Sequence, residues 1–314
     1  MTSVDVVVVA YQSRDRLRDC VLPLLGLDGV RVIVADNASP DCGIETLADL
    51  DVTCLRLPRN GGFSYGCNAG WTAGAGSYVL FLNPDATLDA ASLQALVGVL
   101  DADERVGAVA PRILDGDGHL EPSLRRYPRL RSTYAQALFL HRVFRRSAWT
   151  DELVQDAAAY ARPASAEWVS GACMLLRRSA LLELGGMDDG FFLYCEDTDI
   201  CKRLADHGYG VRFEPAAIAR HAGGASRPRA ELYGVLAASR IRYARKHRSP
   251  LGAALERGGV ILGALTHSVL SPDRAGYRVA LRAALRGEAP PMVEGARRPT
   301  GPAERALLDG PPTT

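Results

Sequence analysis

Short continuous apolar runs alternate with stretches of helical spacing through the first third of the chain. The runs fall at 4–10, 30–35, 52–57 and 78–82, with a further one near 106–110. Between them, 15–25, 44–50, 64–73 and 90–100 repeat apolar residues at three- and four-residue steps, which predicts helices. Strands that are apolar at every position are buried on both faces, as in a parallel sheet flanked by helices. The pattern therefore predicts an α/β fold with a mostly parallel sheet. Ligands in such sheets bind beyond the carboxyl ends of the strands, so the residues just after each strand are the ones to read for chemistry.

The rhythm breaks over 112–165, an insertion with Asp-Gly-Asp-Gly at 115–118 and an Arg-rich stretch from Arg125 to Arg146. A second ordered block, 166–226, completes a main domain whose first half is 1–111. Residues 229–247 read as a basic amphipathic helix and 250–286 as one or two more, so 227–286 forms a helical extension. The Pro- and Gly-rich end, 287–314, has the composition of a disordered tail.

Charge changes this picture little at first. Lys and Arg number 37 against 36 Asp and Glu, which excludes a strongly basic nucleic-acid binder. Split by segment, the balance is a cancellation: −7 over 1–111 and −6 over 149–219, against +5 over 112–148 and +7 over 220–248. An acidic main body is thus joined to basic segments suited to a diphosphate or an anionic lipid. The seven cysteines form no Cys-x-x-Cys pair, which points to a reducing, cytoplasmic setting rather than a zinc or disulfide framework. The start of the chain lacks a basic leader. The most apolar later stretch, 258–270, is shorter than the ~20 residues that span a bilayer.

Strand one is followed by Ala10-Tyr11-Gln12-Ser13, with no glycine, so a dinucleotide fingerprint and a P-loop are both excluded there. Strand two runs into Ala35-Asp36-Asn37. Asp36 reads either as an acceptor for a base or ribose or as an Asx turn. Strand three leads to Asn60-Gly61-Gly62-Phe63, with Gly66, Asn68 and Gly70 following. Those glycines allow close backbone approach, and the amides of a helix start favour an anion. Strand four ends in Asn83-Pro84-Asp85, two oxygen-bearing side chains on a stiffened turn that suit Mg2+ or Mn2+, or else a plain capped turn. The densest acidic cluster, Glu196-Asp197-Thr198-Asp199, follows an apolar approach from Phe191 to Tyr194. Partial desolvation there suits a general base, while Arg203 and a helix start would also satisfy a structural role. His221, followed by Ala222 and two glycines, closes the block.

In this order the motifs resemble the family 2 glycosyltransferases of the GT-A fold, closest to the rhamnosyltransferase branch. The resemblance rests on V-A-D-N-A-S-P-D at 34–41, N-G-G-F-S-Y-G-C-N-A-G at 60–70 and F-L-N-P-D-A at 81–86. It continues with W-V-S-G-A-C-M-L-L-R-R at 168–178, F-F-L-Y-C-E-D-T-D-I-C-K-R-L at 191–204 and R-H-A-G-G-A-S at 220–226.

The resemblance implies an inverting sugar transfer from a nucleotide-diphosphate sugar, dTDP-rhamnose or a UDP-sugar, to a hydroxyl of a glycan or polyprenyl-diphosphate-linked acceptor. It places Ala10, Tyr11, Asp36 and Asn37 around the nucleotide, with the loop from Asn60 to Asn68 closing over it and Asn83 and Pro84 beside it. Asp85 matches the last aspartate of the family's D-x-D and His221 a histidine that completes the Mg2+ or Mn2+ site in some relatives; Asn83 replaces the first aspartate. Asp197 matches the catalytic base, with Glu196 beside it. Trp168, Gly171 and Ala172 match the acceptor-side segment, with Asp199 orienting acceptor hydroxyls or supporting Arg203. The Arg-rich segments 112–148 and 227–248 suggest peripheral contact with a membrane. A sugar-nucleotide pyrophosphorylase would need a Gly-rich loop and Lys after strand one, and a non-catalytic sugar-binding protein would not need Glu196 and Asp197.

Overall fold

In the computed structural model the described residues are 3–144, 147–222 and 230–289. The chain runs β1 (Val4–Ala10), α1 (Arg14–Val21), β2 (Val30–Asp36), β3 (Thr53–Arg56), α2 (Phe63–Thr72), β4 (Tyr78–Leu82), β5 (Ala86–Leu88), α3 (Ala90–Ala102) and β6 (Val106–Leu114). The insertion holds β7 (Leu120–Glu121), β8 (Leu124–Arg125), α4 (Leu130–Ala137) and α5 (Leu140–Val143). Then come β9 (Ala164–Ser165), β10 (Trp168–Val169), β11 (Cys173–Arg177), α6 (Arg178–Glu183), α7 (Glu196–Asp206), β12 (Gly210–His221), α8 (Ala230–His247), α9 (Pro250–Leu270) and α10 (Arg274–Arg286). The helix expected at 44–50 is a short 3-10 turn, Gly43–Leu47. The tail expected to be disordered lies outside the described residues from 290 onward.

The central sheet has the order β3-β2-β1-β4-β11-β6-β12-β5. Its first four strands are parallel, as the mainly apolar runs predict. β11 then enters antiparallel between β4 and β6, and β12 returns parallel to β6. Residues of β1 alternate between two cores: Val6 and Val8 face α1 and α3, whereas Val7 and Val9 face α2 and α7. Burying both faces removes each fully buried Val or Leu side chain from water, worth about 1.5–3 kcal/mol apiece. Helix α2 lies unusually close to β1, because a Cβ on Gly66 would overlap the Val9 side chain.

The C-terminal helices are tied to the body by buried charge. Arg240 on α8 bonds both oxygens of Glu152 at 2.8 and 2.9 Å and Glu256 of α9 at 3.1 Å. Arg242 and Lys246 meet Asp188 at 2.7 Å each. The basic helix read at 229–247 therefore directs these cations onto carboxylates of its own chain. A hollow of 530 Å3 opens at the amino-terminal ends of the strands, lined by Val4, Asp28 and Asp101 among others, away from the strand ends that carry the motifs.

Candidate active site

The carboxyl ends of β1, β2 and β4 gather the residues that the sequence singled out. Asp36 ends β2 and is buried; its Oδ1 accepts the Ser39 N–H at 2.9 Å, so the Asx turn is present and uses one carboxylate oxygen. Asn37 is a staple: its N–H donates to Ala10, its Nδ2 to Gly62 and Asn60, and its Oδ1 accepts the Gly61 N–H. This fixes the loop at 60–62 against the ends of β1 and β2. Tyr11, half-buried, bends off the end of β1 just before Gln12.

Three amides of that loop are taken up within the protein. The Gly61 N–H goes to Asn37, the Gly62 N–H to Asn60 Oδ1, and the Phe63 N–H to Phe192 O at 2.7 Å. Gly62 has φ +91° and a Cβ there would strike the Phe192 main chain, so the glycine serves a close crossing of two segments. Asn68, expected over the nucleotide, faces elsewhere: its amide holds the Met187 N–H and C=O, both at 2.9 Å, and accepts from Trp71 Nε1. Gly66 packs under the sheet, as described above.

The turn after β4 presents a polar cluster. Pro84 stiffens it, and the Ala86 N–H closes it onto Asn83 O at 3.0 Å. His221, at the end of β12, brings Nε2 within 3.2 Å of Asp85 Oδ1 and 3.4 Å of the Asn83 amide. On its other side Nδ1 lies 3.1 Å from Glu121 Oε2. Hydrogen bonds to these two carboxylates outweigh burial and raise His221 to about 9. Burial opposes, but the His221 hydrogen bond and charge prevail in holding Asp85 below its ordinary value. Glu121 was not anticipated: it comes from the insertion, and its two-residue strand has no pattern to find it by.

A short path joins this cluster to the acidic one. The Asn83 N–H donates to Ala172 O at 2.9 Å, and the Gly171 N–H donates to Asp197 Oδ2 at 3.2 Å. Asp197 Oδ1 accepts from the Thr198 N–H at 2.7 Å. Two consecutive left-handed residues, Tyr194 and Cys195, turn the chain so that Glu196 and Asp197 head α7. Burial raises the pKa of both carboxyls, most strongly at Glu196, where the Asp197 charge adds to it; at Asp197 the amide hydrogen bonds oppose the rise. Glu196 Oε2 is buried without a hydrogen-bond partner, whereas Asp197 stays partly exposed. One amide of α7 and one from the loop before β11 thus serve Asp197, while burial favours the neutral form of Glu196.

Asp199 is not part of this surface. It is fully buried and meets Arg203 at 2.8 Å, Lys246 at 2.8 Å and His247 at 2.7 Å, which places it in the structural role the sequence left open. Trp168 pairs with Arg125 across β8 and β10, and the Arg125 guanidinium lies 5.3 Å from the indole centroid. Arg125 also favours the charged form of Asp197. The Arg-rich character of its segment was visible, but the pairing that brings it to the acidic pair was not.

The Asp85 carboxylate and the Asn83 amide oxygen are donors that suit a hard divalent cation, whereas the His221 imidazole suits a softer one; Glu121 holds the far ring nitrogen as outer partners of metal-bound histidines do. Among the described residues, a separate group with metal-ligand spacing is Asp115, Asp117 and His119. It lies in the exposed β6–β7 turn, where Asp115 Oδ1 accepts the Asp117 and His119 amides.

Residues 5–185 match the model of glycosyl transferase family 2. The chain belongs to this family. Outside the matched span lie α7, with Glu196 and Asp197, and His221. The chain is 32% identical over 206 residues to an N-acetylglucosaminyl-diphospho-decaprenol L-rhamnosyltransferase of Mycobacterium tuberculosis, covering 61% of this chain and 66% of that protein. It is 27% identical over 148 residues to a rhamnosyltransferase of Escherichia coli, covering 46% of this chain and 52% of the relative. This chain thus spans under two thirds of both relatives. Among solved structures, a mannosyltransferase from Pyrobaculum calidifontis in complex with GDP-Man and Mn2+ superposes with a TM-score of 0.52 at 19% identity, over 90% of this chain and 79% of that one. That likeness confirms the GT-A fold expected for this family 2 member, and the helices after β12 complete it.

Proposed function

We propose that this family 2 protein is an inverting glycosyltransferase that moves a sugar, rhamnose by its relatives, from a nucleotide-diphosphate donor to a hydroxyl of a lipid-diphosphate-linked glycan. The observation that carries the reading is Asp197: a partly exposed carboxylate, held by two amides at a helix start, with its pKa raised by burial. A base with those properties removes a proton more readily than an ordinary carboxylate at the same pH. Asp197 takes the proton of the acceptor hydroxyl as that oxygen forms a bond to the anomeric carbon. The bond from that carbon to the donor phosphate oxygen breaks on the opposite face, and its electron pair leaves with the nucleoside diphosphate.

Asp36 and Asn37, with Ala10 and Tyr11, would frame the nucleoside. Asp85, Asn83 and His221 would hold Mg2+ or Mn2+, and Glu121 would keep the proton on Nδ1 so that Nε2 faces the ion. Once bound, the ion would neutralise charge on the departing diphosphate. Trp168 is buried, its Nε1 donating to Arg126 O, so the Arg125 guanidinium that covers the indole, and not the indole itself, would form the acceptor wall, turned toward a phosphate. The decaprenol-linked acceptor named for the Mycobacterium tuberculosis relative supports an acceptor presented at a membrane surface.

The test is transfer from a panel of nucleotide sugars to a polyprenyl-diphosphate-N-acetylglucosamine acceptor, with and without chelator. dTDP-rhamnose supports turnover on this reading. Turnover from none of the donors, with nucleotides binding unchanged, would favour a non-catalytic binding protein.

A further inference from the structure

Helix α9 is 21 residues long, about 31 Å, and carries two charged residues. Both are turned inward: Glu256 is buried on Arg240, and Arg257 donates to the Ala284 and Leu285 carbonyls of α10. What remains outside is apolar. Leu251, Leu255, Leu265, Val269 and Leu270 are 43–71% exposed, and the first four share one face at helical spacing. Phe139 stacks on His267 at 4.1 Å on the other side of the helix, which leaves this face uncovered by that contact. A contiguous apolar surface of this kind marks a partner.

Helix α10 runs alongside, its Tyr277 ring 4.7 Å from His267. It presents Arg274, Arg278, Arg282 and Arg286, all exposed and each four residues from the last, with no acidic residue anywhere in the helix. Of the α8 cations, where the sequence placed the basic face, Arg240, Arg242 and Lys246 are instead engaged by Glu152, Asp188, Asp199 and Glu256. Among the described residues no helix is long and apolar enough to cross a membrane.

We infer that the outward face of the α9–α10 pair lies on an anionic lipid bilayer, with the α9 leucines in the headgroup–acyl boundary and the α10 arginines on lipid phosphates. An uncharged face flanked by an arginine stripe is the pattern of an in-plane membrane helix. A second copy of the chain fits less well, because a symmetric contact through α9 would crowd the arginine stripes without a carboxylate on α10 to meet them. The inference extends the reading of a lipid-linked acceptor, but its test uses no sugar transfer, so either can fail alone.

The full-length protein is sedimented with vesicles of phosphatidylglycerol and phosphatidylcholine in equal parts, and with phosphatidylcholine alone. Binding is expected to the anionic vesicles and to fall with salt. Arg278→Ser with Arg282→Ser should weaken partitioning about tenfold or more, as should Leu265→Ser with Val269→Ser. Both are surface changes, and unaltered helicity and melting temperature establish that the variants are folded. Wild-type protein left in the supernatant at low salt would overturn the inference. So would unchanged partitioning of both variants, or self-association that Leu265→Ser with Val269→Ser abolishes in the absence of vesicle binding.

Discussion

The main-chain N–H of Gly171 donates to Asp197 Oδ2 at 3.2 Å, fixing the carboxylate while its desolvation raises its pKa. The two effects have different consequences, because orientation does not depend on pH and ionisation does. As a base Asp197 must be ionised, so kcat/KM should climb with pH through an apparent value above that of an ordinary aspartate. Glu196→Gln should leave that limb in place, since burial and not the Glu196 charge is what raises Asp197. A limb at the ordinary aspartate value would remove the desolvated-base reading.

Glu196 itself should cost stability at high pH. Its folded pKa lies above the unfolded value, so the folded state binds the extra proton and stability falls as pH rises through that window. Glu196→Gln should match wild type near pH 4 and melt about 2–6 °C higher at pH 8. Thermal melts at the two pH values check this, and an equal difference at both would contradict it.

Glu121→Ala should weaken Mn2+ binding by about 10–100-fold, the usual loss when the outer partner of a metal-bound histidine is removed. Calorimetric titration of the protein with the metal alone reads this without turnover. Unchanged affinity would mean that His221 does not need Glu121 to face the ion.

The buried Arg240 joins the insertion to α8 and α9 through Glu152 and Glu256. Arg240→Met should cost about 3–5 kcal/mol, because the buried Glu152 loses its cation and Glu256 keeps only the Arg248 cation at 3.4 Å. Adding Glu152→Gln and Glu256→Gln should recover part of the loss. The Glu152 pKa is lowered because Arg240 and Ser132 overcome the effect of burial, so wild-type stability should fall as pH drops below the ordinary glutamate value of 4.5. Urea midpoints measure both effects.

The parallel half of the sheet was legible because β1, β2 and β4 are apolar on both faces, and a one-residue error would not change that. The strand-end motifs were legible for the same reason, as the strands locate them. What the sequence did not show depends on pairing across distance. Arg242 and Lys246 look like a free basic face until Asp188, 54 and 58 residues away, is placed beside them. Asn68 reads as a loop amide open to ligand until Met187, 119 residues on, takes both its ends. Glu121 lies in a strand too short for any periodicity. The arginines of α10 were counted in a segment of net +2, where nearby acids hid their alignment on one face.

The most direct test of Asp197 as the base is Asp197→Asn, with single-turnover transfer and donor binding measured on the same protein. Loss of about 10²–10⁴ in the transfer rate, with nucleotide affinity and melting temperature unchanged, is the expected result. Transfer within a few-fold of wild type would contradict the assignment.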